Sequence, residues 1–214
     1  MFIGHAAVAL AAKPLAPRAN LGVALAATYW LDLVWPVLLL SGVERVEVDP
    51  GNTAFTPLDF VHYPWTHSLI AAIAWSVLFG LVCWKLGRRA ALVMGALVFS
   101  HWALDAVAHR PDLPLWPGSG AMVGLGLWNS VAATLVVETS LFAAGVAITL
   151  RSPGKASLAF WTLVGFFVLV YLGAAFGPPP PGAAAVAWSA LALWLLPVWG
   201  WWVDRHRGSN APLT

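Results

Sequence analysis

Residues 91–109 read ALVMGALVFSHWALDAVAH, an apolar run of membrane length that carries His101 and Asp105 inside it. About 20 helical residues cross the roughly 30 Å hydrocarbon core, so this run reads as a transmembrane helix. His101 and Asp105 stand at i and i+4, which places both on one helix face, and His109 continues that stripe a turn further on. A charge at the bilayer centre costs about 2.5–3.5 kcal/mol even on the gentler insertion scale, so Asp105 needs a partner. The same problem recurs twice: Asp32 lies in LGVALAATYWLDLVWPVLLLSG (21–42) and Glu138 in WNSVAATLVVETSLFAAGVAITL (128–150). No Lys or Arg lies at comparable depth in these runs. The available neighbours are His5, His62, His67, His101 and His109. Acids beside clustered imidazoles point to a bound metal cation.

Only 9% of the 214 residues are charged and 60% are hydrophobic, with a mean hydropathy of +0.79. A soluble domain carries about 25% charged residues, so the composition excludes that class. Runs near 20–42, 65–86, 89–109, 128–150, 158–177 and 183–203 are long enough to span. The fold class read from them is an all-α, polytopic transmembrane helix bundle of about six full spans plus a short N-terminal helix. One integral-membrane domain over 1–207 and a short cytoplasmic tail over 208–214 complete the organisation. The first run, MFIGHAAVALAA, is too short to span and reads as a short or half-inserted helix packed on the bundle. A signal peptide is the alternative: ALAAKPLAP offers small residues for cleavage, but no positive segment precedes the run and His5 interrupts it. The single cysteine, Cys83, excludes an internal disulfide and a multi-cysteine metal site. Phosphate-loop, GxSxG and dinucleotide motifs are absent, and the basic residues form no nucleic-acid patch.

Basic residues set the orientation. Lys13, Arg18, Lys85, Arg88, Arg89, Arg151, Lys155, Arg205 and Arg207 all fall in alternate connections, which makes those connections and the C-terminus cytoplasmic. The opposite loops hold Arg45 and Arg110 among Glu44, Glu47, Asp49, Asp59 and Asp112. In this topology His67 opens a helix entering from the outer side, and His101, Asp105 and His109 close a helix rising toward it. Asp32 and Glu138 sit about 15 Å below the outer boundary at 1.5 Å rise per residue. His5 also begins in the outer half. The candidate residues therefore share the extracytoplasmic leaflet.

Imidazole nitrogen and carboxylate oxygen are the usual ligands of Zn²⁺, and they also suit Mn²⁺ or Fe²⁺. The candidate metal ligands are His5, Asp32, His67, His101 and Asp105. Asp32 and Glu138 are the candidate catalytic acids. Glu138 reads equally as a ligand, a general base or a protonated interhelix donor, and Asp32 has a protonated, metal-free alternative. His62 and His109 lie near the water boundary, where a supporting role behind the ligands and plain solvation are equal readings. The segment HRPDLPLWPGSGAMVGLGLWN (109–129) follows the ligand helix as a connecting loop or a lip for lipid access.

At these residues the chain resembles a family, the YdjM-like membrane-bound metal-dependent hydrolases. The resemblance rests on Gly4-His5, Asp32, His62-Tyr-Pro-Trp-Thr-His67-Ser68, Ser100-His101-Trp-Ala-Leu-Asp105 and Leu115-Trp116-Pro117, and covers roughly residues 1–120. Where that family has a PDxD-type element this chain reads Leu31-Asp32-Leu33-Val34, keeping one acid. Its HRG reads His62-Tyr63-Pro64, without the Arg. The resemblance implies metal-dependent hydrolysis, with the metal count and any contact by that Arg open. The ligand order also looks distantly similar to zinc-dependent phospholipase C enzymes.

The expected function is hydrolysis of a lipid or lipid-linked phosphoester at the extracytoplasmic leaflet, with membrane lipid as the partner and the oligomeric state open. A membrane amidase of ceramidase type and a cation or proton transporter using the same His/Asp cluster are the alternatives, with a structural metal site as a third. Transporters are expected to show internal repeats and broken helices, and no repeat is visible.

Overall fold

A computed structural model describes residues 1–152 and 156–206. Lys155, Arg207 and the tail 208–214 lie outside the described residues. The chain is helical: α1 Phe2–Ala12, α2 Leu21–Thr28, α3 Trp30–Leu40, a short turn α4 Pro64–His67, α5 Leu69–Val82, α6 Arg88–Ala108, α7 Val131–Arg151, α8 Leu158–Phe176, α9 Ala183–Leu191 and α10 Leu195–Arg205. Among the described residues five helical segments, Leu69–Leu86, α6, α7, α8 and Ala183–Arg205 (α9 running into α10), are long and apolar enough to cross a membrane, or six with α2 and α3 counted as one bent span. Their outer surfaces are apolar: Val77, Leu81, Val136 and Leu169 are all more than half exposed. Such faces are stable against lipid rather than water, and the protein is an integral membrane protein.

Local chemistry sets the helix starts. Asn20, Ser68, Ser130 and Ser157 each accept a hydrogen bond from the backbone N–H three residues on, which satisfies an otherwise orphaned donor. Gly87, at φ +101°, reverses the chain between α5 and α6. A side chain is strained in that conformation, and the turn stacks the two helices antiparallel along their length.

Three boundaries depart from the sequence reading. The span expected over 20–42 is two helices bent by 56° at Tyr29. The span expected from 65 begins at Leu69, because Ser68 is extended (ψ 153°) and cuts off α4 as a separate turn. The loops over 41–63 and 109–130 are not simple coil. They form two small antiparallel hairpins, β1 Arg45–Val48 with β2 Leu58–His62, and β3 Leu113–Pro114 with β4 Met122–Val123.

Helix α1, expected to pack on the bundle, lies buried in it, against α7, α2 and α6. Small residues permit this approach, as they do between helices in lipid generally. A Cβ built on Gly145 of α7 would stand 2.5 Å from the Ala7 carbonyl oxygen of α1. At its far end α1 is tied down by Lys13, whose Nζ donates to Asp204 Oδ2 of α10 at 2.6 Å. Burial of α1 between α6 and α7 is what carries His5 to the functional cluster.

Candidate metal centre

The break between α2 and α3 shapes the site. With the helix interrupted at Tyr29, the Thr28 carbonyl is available to His101 Nδ1, 2.7 Å away. A carbonyl only accepts, so His101 Nδ1 carries a proton and Nε2 is the nitrogen turned to the cluster. That Nε2 is buried, with Asp105 Oδ2 3.0 Å from it. An imidazole nitrogen beside a carboxylate oxygen is a place for a cation, a proton or a metal ion.

Two further side chains meet the same point. His67 Nε2 is 3.5 Å from Asp32 Oδ1 and 3.9 Å from Asp105 Oδ2, and His101 Nε2 is 3.6 Å from Asp32 Oδ1. A tetrahedral ion with bonds of 2.0–2.1 Å sets its ligands about 3.3–3.4 Å apart. The four separations of 3.0, 3.5, 3.6 and 3.9 Å bracket that spacing. Imidazole nitrogens and carboxylate oxygens at these spacings are donors of the kind that suit a divalent metal. His5 faces the other oxygen of Asp105: its Nε2 is 3.1 Å from Oδ1, and its ring stacks on His101 at 3.8 Å. The Met1 nitrogen lies 2.6 Å from the same Oδ1. The candidate ligands form two overlapping groups, His5–His101–Asp105 and Asp32–His67–His101, whose donor atoms lie within 4.8 Å in each group. His101 belongs to both. The Asp32 side chain is 25% exposed, whereas those of His67, His101 and Asp105 are 3% or less.

Glu138 stands in neither group. Its Oε2 accepts from the backbone N–H of Ile3 at 3.0 Å and of Gly4 at 3.3 Å. Those amides are orphaned donors of the first turn of α1, which has no capping side chain of its own. Glu138 thus holds the start of α1 from α7, a role absent from the three read in the sequence. His62 is exposed on β2, paired opposite Arg45, and stays outside the cluster. His109 caps α6: its N–H still donates to the Asp105 carbonyl at 2.8 Å, and ψ 150° turns the chain away after it. Arg110 precedes a proline and so disfavours helix, which is a physical reason for the end there. The His109 Nδ1 meets Asp112 Oδ1 at 2.9 Å, and the Tyr63 hydroxyl donates to the same oxygen at 3.1 Å. Burial, and then Asp112, pushes the Tyr63 hydroxyl well above the usual tyrosine value, so it remains a donor. A cavity of about 380 Å³ over the two hairpins is lined by His62, Tyr63, Arg110 and Asp112. The Tyr63 ring packs 5.2 Å from that of His67, between the cavity and the cluster.

Glu44 and Thr66 were not singled out in the sequence. Glu44 is 1% exposed, although it belongs to an outer loop counted above only for its charge. Its carboxylate accepts from the Trp65 and Thr66 amides and from the Thr66 hydroxyl, which in turn contacts His67 Nδ1 at 2.7 Å. Thr66 could have been found as the neighbour of a candidate ligand; nothing in the spacing marks Glu44.

Residues 1–178 match a family model described as YdjM inner membrane protein. No curated protein and no solved structure matches the chain.

Proposed function

The chain belongs to the YdjM inner membrane protein family, and we propose that it is a metal-dependent hydrolase acting on a lipid or lipid-linked phosphoester at the extracytoplasmic leaflet. The observation that carries this reading is the buried Nε2 of His101, shared by two groups of candidate ligands, His5–His101–Asp105 and Asp32–His67–His101. His67, His101 and Asp105 would hold the ion, with His5 on the far oxygen of Asp105. A bound divalent ion, zinc first with manganese or iron as alternatives, supplies Lewis acidity that polarises the scissile group and acidifies water toward neutral pH.

The chain's own residues would do the rest. Asp32, the member of the cluster nearest solvent, takes the proton of the attacking water and returns it to the leaving oxygen. Thr28 and Thr66 hold the two imidazoles with Nε2 free. The apolar packing of α1, α2 and α6 keeps bulk water from the back of the cluster. Glu138 serves by fixing α1 and hence His5.

The extracytoplasmic placement is supported by the charge of the connections. The cluster lies at the C-terminal end of α6, about 20 Å along the helix from the Arg88–Arg89 turn at 1.5 Å per residue. A site at that depth suits the junction between headgroup and acyl chain. A reporter fused after Arg207 tests this, and a periplasmic reading would reverse the leaflet.

The activity is tested with zinc-loaded protein in detergent against phospholipids, polyprenyl phosphates and N-acyl lipids. Release of a phosphorylated headgroup or phosphate, lost on chelation, is the expected result. Cleavage confined to the N-acyl lipids would replace the phosphoester reading with an amidase. One observation favours a second reading, a cation or proton transporter: the 56° break between α2 and α3 falls between Thr28 and Asp32, and transporters build ion sites at broken helices. Metal-dependent ion flux in vesicles without hydrolysis of any lipid in the panel would select it.

A further inference from the structure

We infer that Glu44 is a positioning residue for the metal centre, acting through Thr66 to dictate which nitrogen of His67 carries the proton; the inference rests on the metal-binding reading above. Its geometry runs through three elements. Glu44, just before β1, reaches the α4 turn and accepts two backbone hydrogen bonds on Oε1, from Trp65 N at 2.8 Å and Thr66 N at 2.9 Å. Its Oε2 accepts the Thr66 hydroxyl proton at 2.7 Å. A hydroxyl has one proton to give. With that proton committed to Glu44, the Thr66 oxygen meets His67 Nδ1 at 2.7 Å as an acceptor, so His67 is protonated on Nδ1. Its Nε2 is then a lone pair directed at Asp32 and Asp105, at 3.5 and 3.9 Å.

A carboxylate that orients a histidine ligand through an intermediate group is a recurrent device, and its loss costs about 10–100-fold in metal affinity. Here the dependence on the carboxylate is unusually sharp, because three donors converge on two oxygens and no acceptor-to-donor exchange is tolerated. In Glu44→Gln the amide oxygen can keep both backbone hydrogen bonds, since those donors share one oxygen in the native arrangement. The amide nitrogen then faces Thr66 and donates to it. Thr66 turns its proton toward His67 Nδ1, and His67 moves its own proton to Nε2, where it blocks the metal position. The turn stays capped while the tautomer inverts. A residue that merely stabilised α4 would leave His67 unchanged on this substitution.

The test uses the full-length protein in detergent with zinc alone as the probe. The ¹⁵N chemical shifts of the His67 ring in the zinc-free protein are read beside the zinc dissociation constant for wild type, Glu44→Gln, Thr66→Val and Thr66→Ser. The expected result is Nδ1–H in wild type and Thr66→Ser and Nε2–H in Glu44→Gln, with zinc about 10–100-fold weaker in Glu44→Gln and Thr66→Val and near wild type in Thr66→Ser. An unchanged His67 tautomer and unchanged zinc affinity in a folded Glu44→Gln protein would overturn the inference. A wild type that binds no zinc while the tautomer still inverts in Glu44→Gln would instead overturn the metal reading and leave the relay standing. Should Glu44→Gln fail to fold, Thr66→Val, which keeps both backbone hydrogen bonds of Glu44, decides by zinc affinity: a loss of about 10–100-fold supports the relay and native affinity overturns it.

Discussion

Replacement of Glu138 separates positioning from chemistry. In the native protein one carboxylate oxygen accepts two buried backbone N–H groups from the first turn of α1, at 3.0 and 3.3 Å. Glu138→Ala strands both donors, and each unsatisfied buried group costs about 1–3 kcal/mol. Loss of a negative charge at the start of a helix adds about 0.3–1 kcal/mol. The expected destabilisation is about 2–7 kcal/mol. Glu138→Gln keeps an acceptor oxygen in place and loses only the charge-assisted part, about 0.5–2 kcal/mol. Unfolding of the detergent-solubilised protein, followed by tryptophan fluorescence, reads these differences, and elemental analysis of the same samples reads the metal. Glu138→Gln should keep its metal and most of its activity. Glu138→Ala should lose stability and bind metal more weakly as α1 and His5 shift. A Glu138→Gln protein of native stability that has lost its metal would make Glu138 a ligand. One that keeps its metal but has lost turnover would make it the general base. A Glu138→Ala protein within 0.5 kcal/mol of wild type would refute the capping argument itself, since that is the range of substitutions that touch nothing of consequence.

Asp32→Asn should retain metal on His67, His101 and Asp105 while turnover falls about 10²–10⁴-fold, as loss of a general base does; steady-state kinetics beside metal analysis reads both. His62→Ala and His109→Ala should leave metal content unchanged, because one side chain is exposed on β2 and the other is engaged with Asp112. Gly145→Val should cost about 1–3 kcal/mol or more in chemical unfolding, since its Cβ would lie 2.5 Å from the Ala7 backbone oxygen and force α1 from α7.

The membrane class and the number of spans follow from run lengths and composition. The pairing of His101 with Asp105 was legible because a helix brings i and i+4 together. His109 caps the same helix, but its imidazole is engaged with Asp112, a loop contact that spacing does not announce. The break at Tyr29 was hidden. Tyr29 is neither Gly nor Pro, and Pro36 lies seven residues beyond it, so no local residue announces the bend that frees the Thr28 carbonyl. Glu44 was counted as one more loop acid. Its burial arises only when the β1–β2 hairpin folds back over α4, a tertiary event with no local periodicity. Glu138 was seen as anomalous in depth, but its partners are backbone amides of α1, and backbone donors leave no mark in a sequence.

The central claim is that His67, His101 and Asp105 hold one cation tightly beside Asp32, and elemental analysis of the purified protein tests it most directly. Wild type should carry a divalent metal in stoichiometric amount after dialysis, and His101→Ala and Asp105→Ala should both lose it while remaining folded by circular dichroism. Wild-type protein without metal, or folded variants as fully loaded as wild type, would contradict the account.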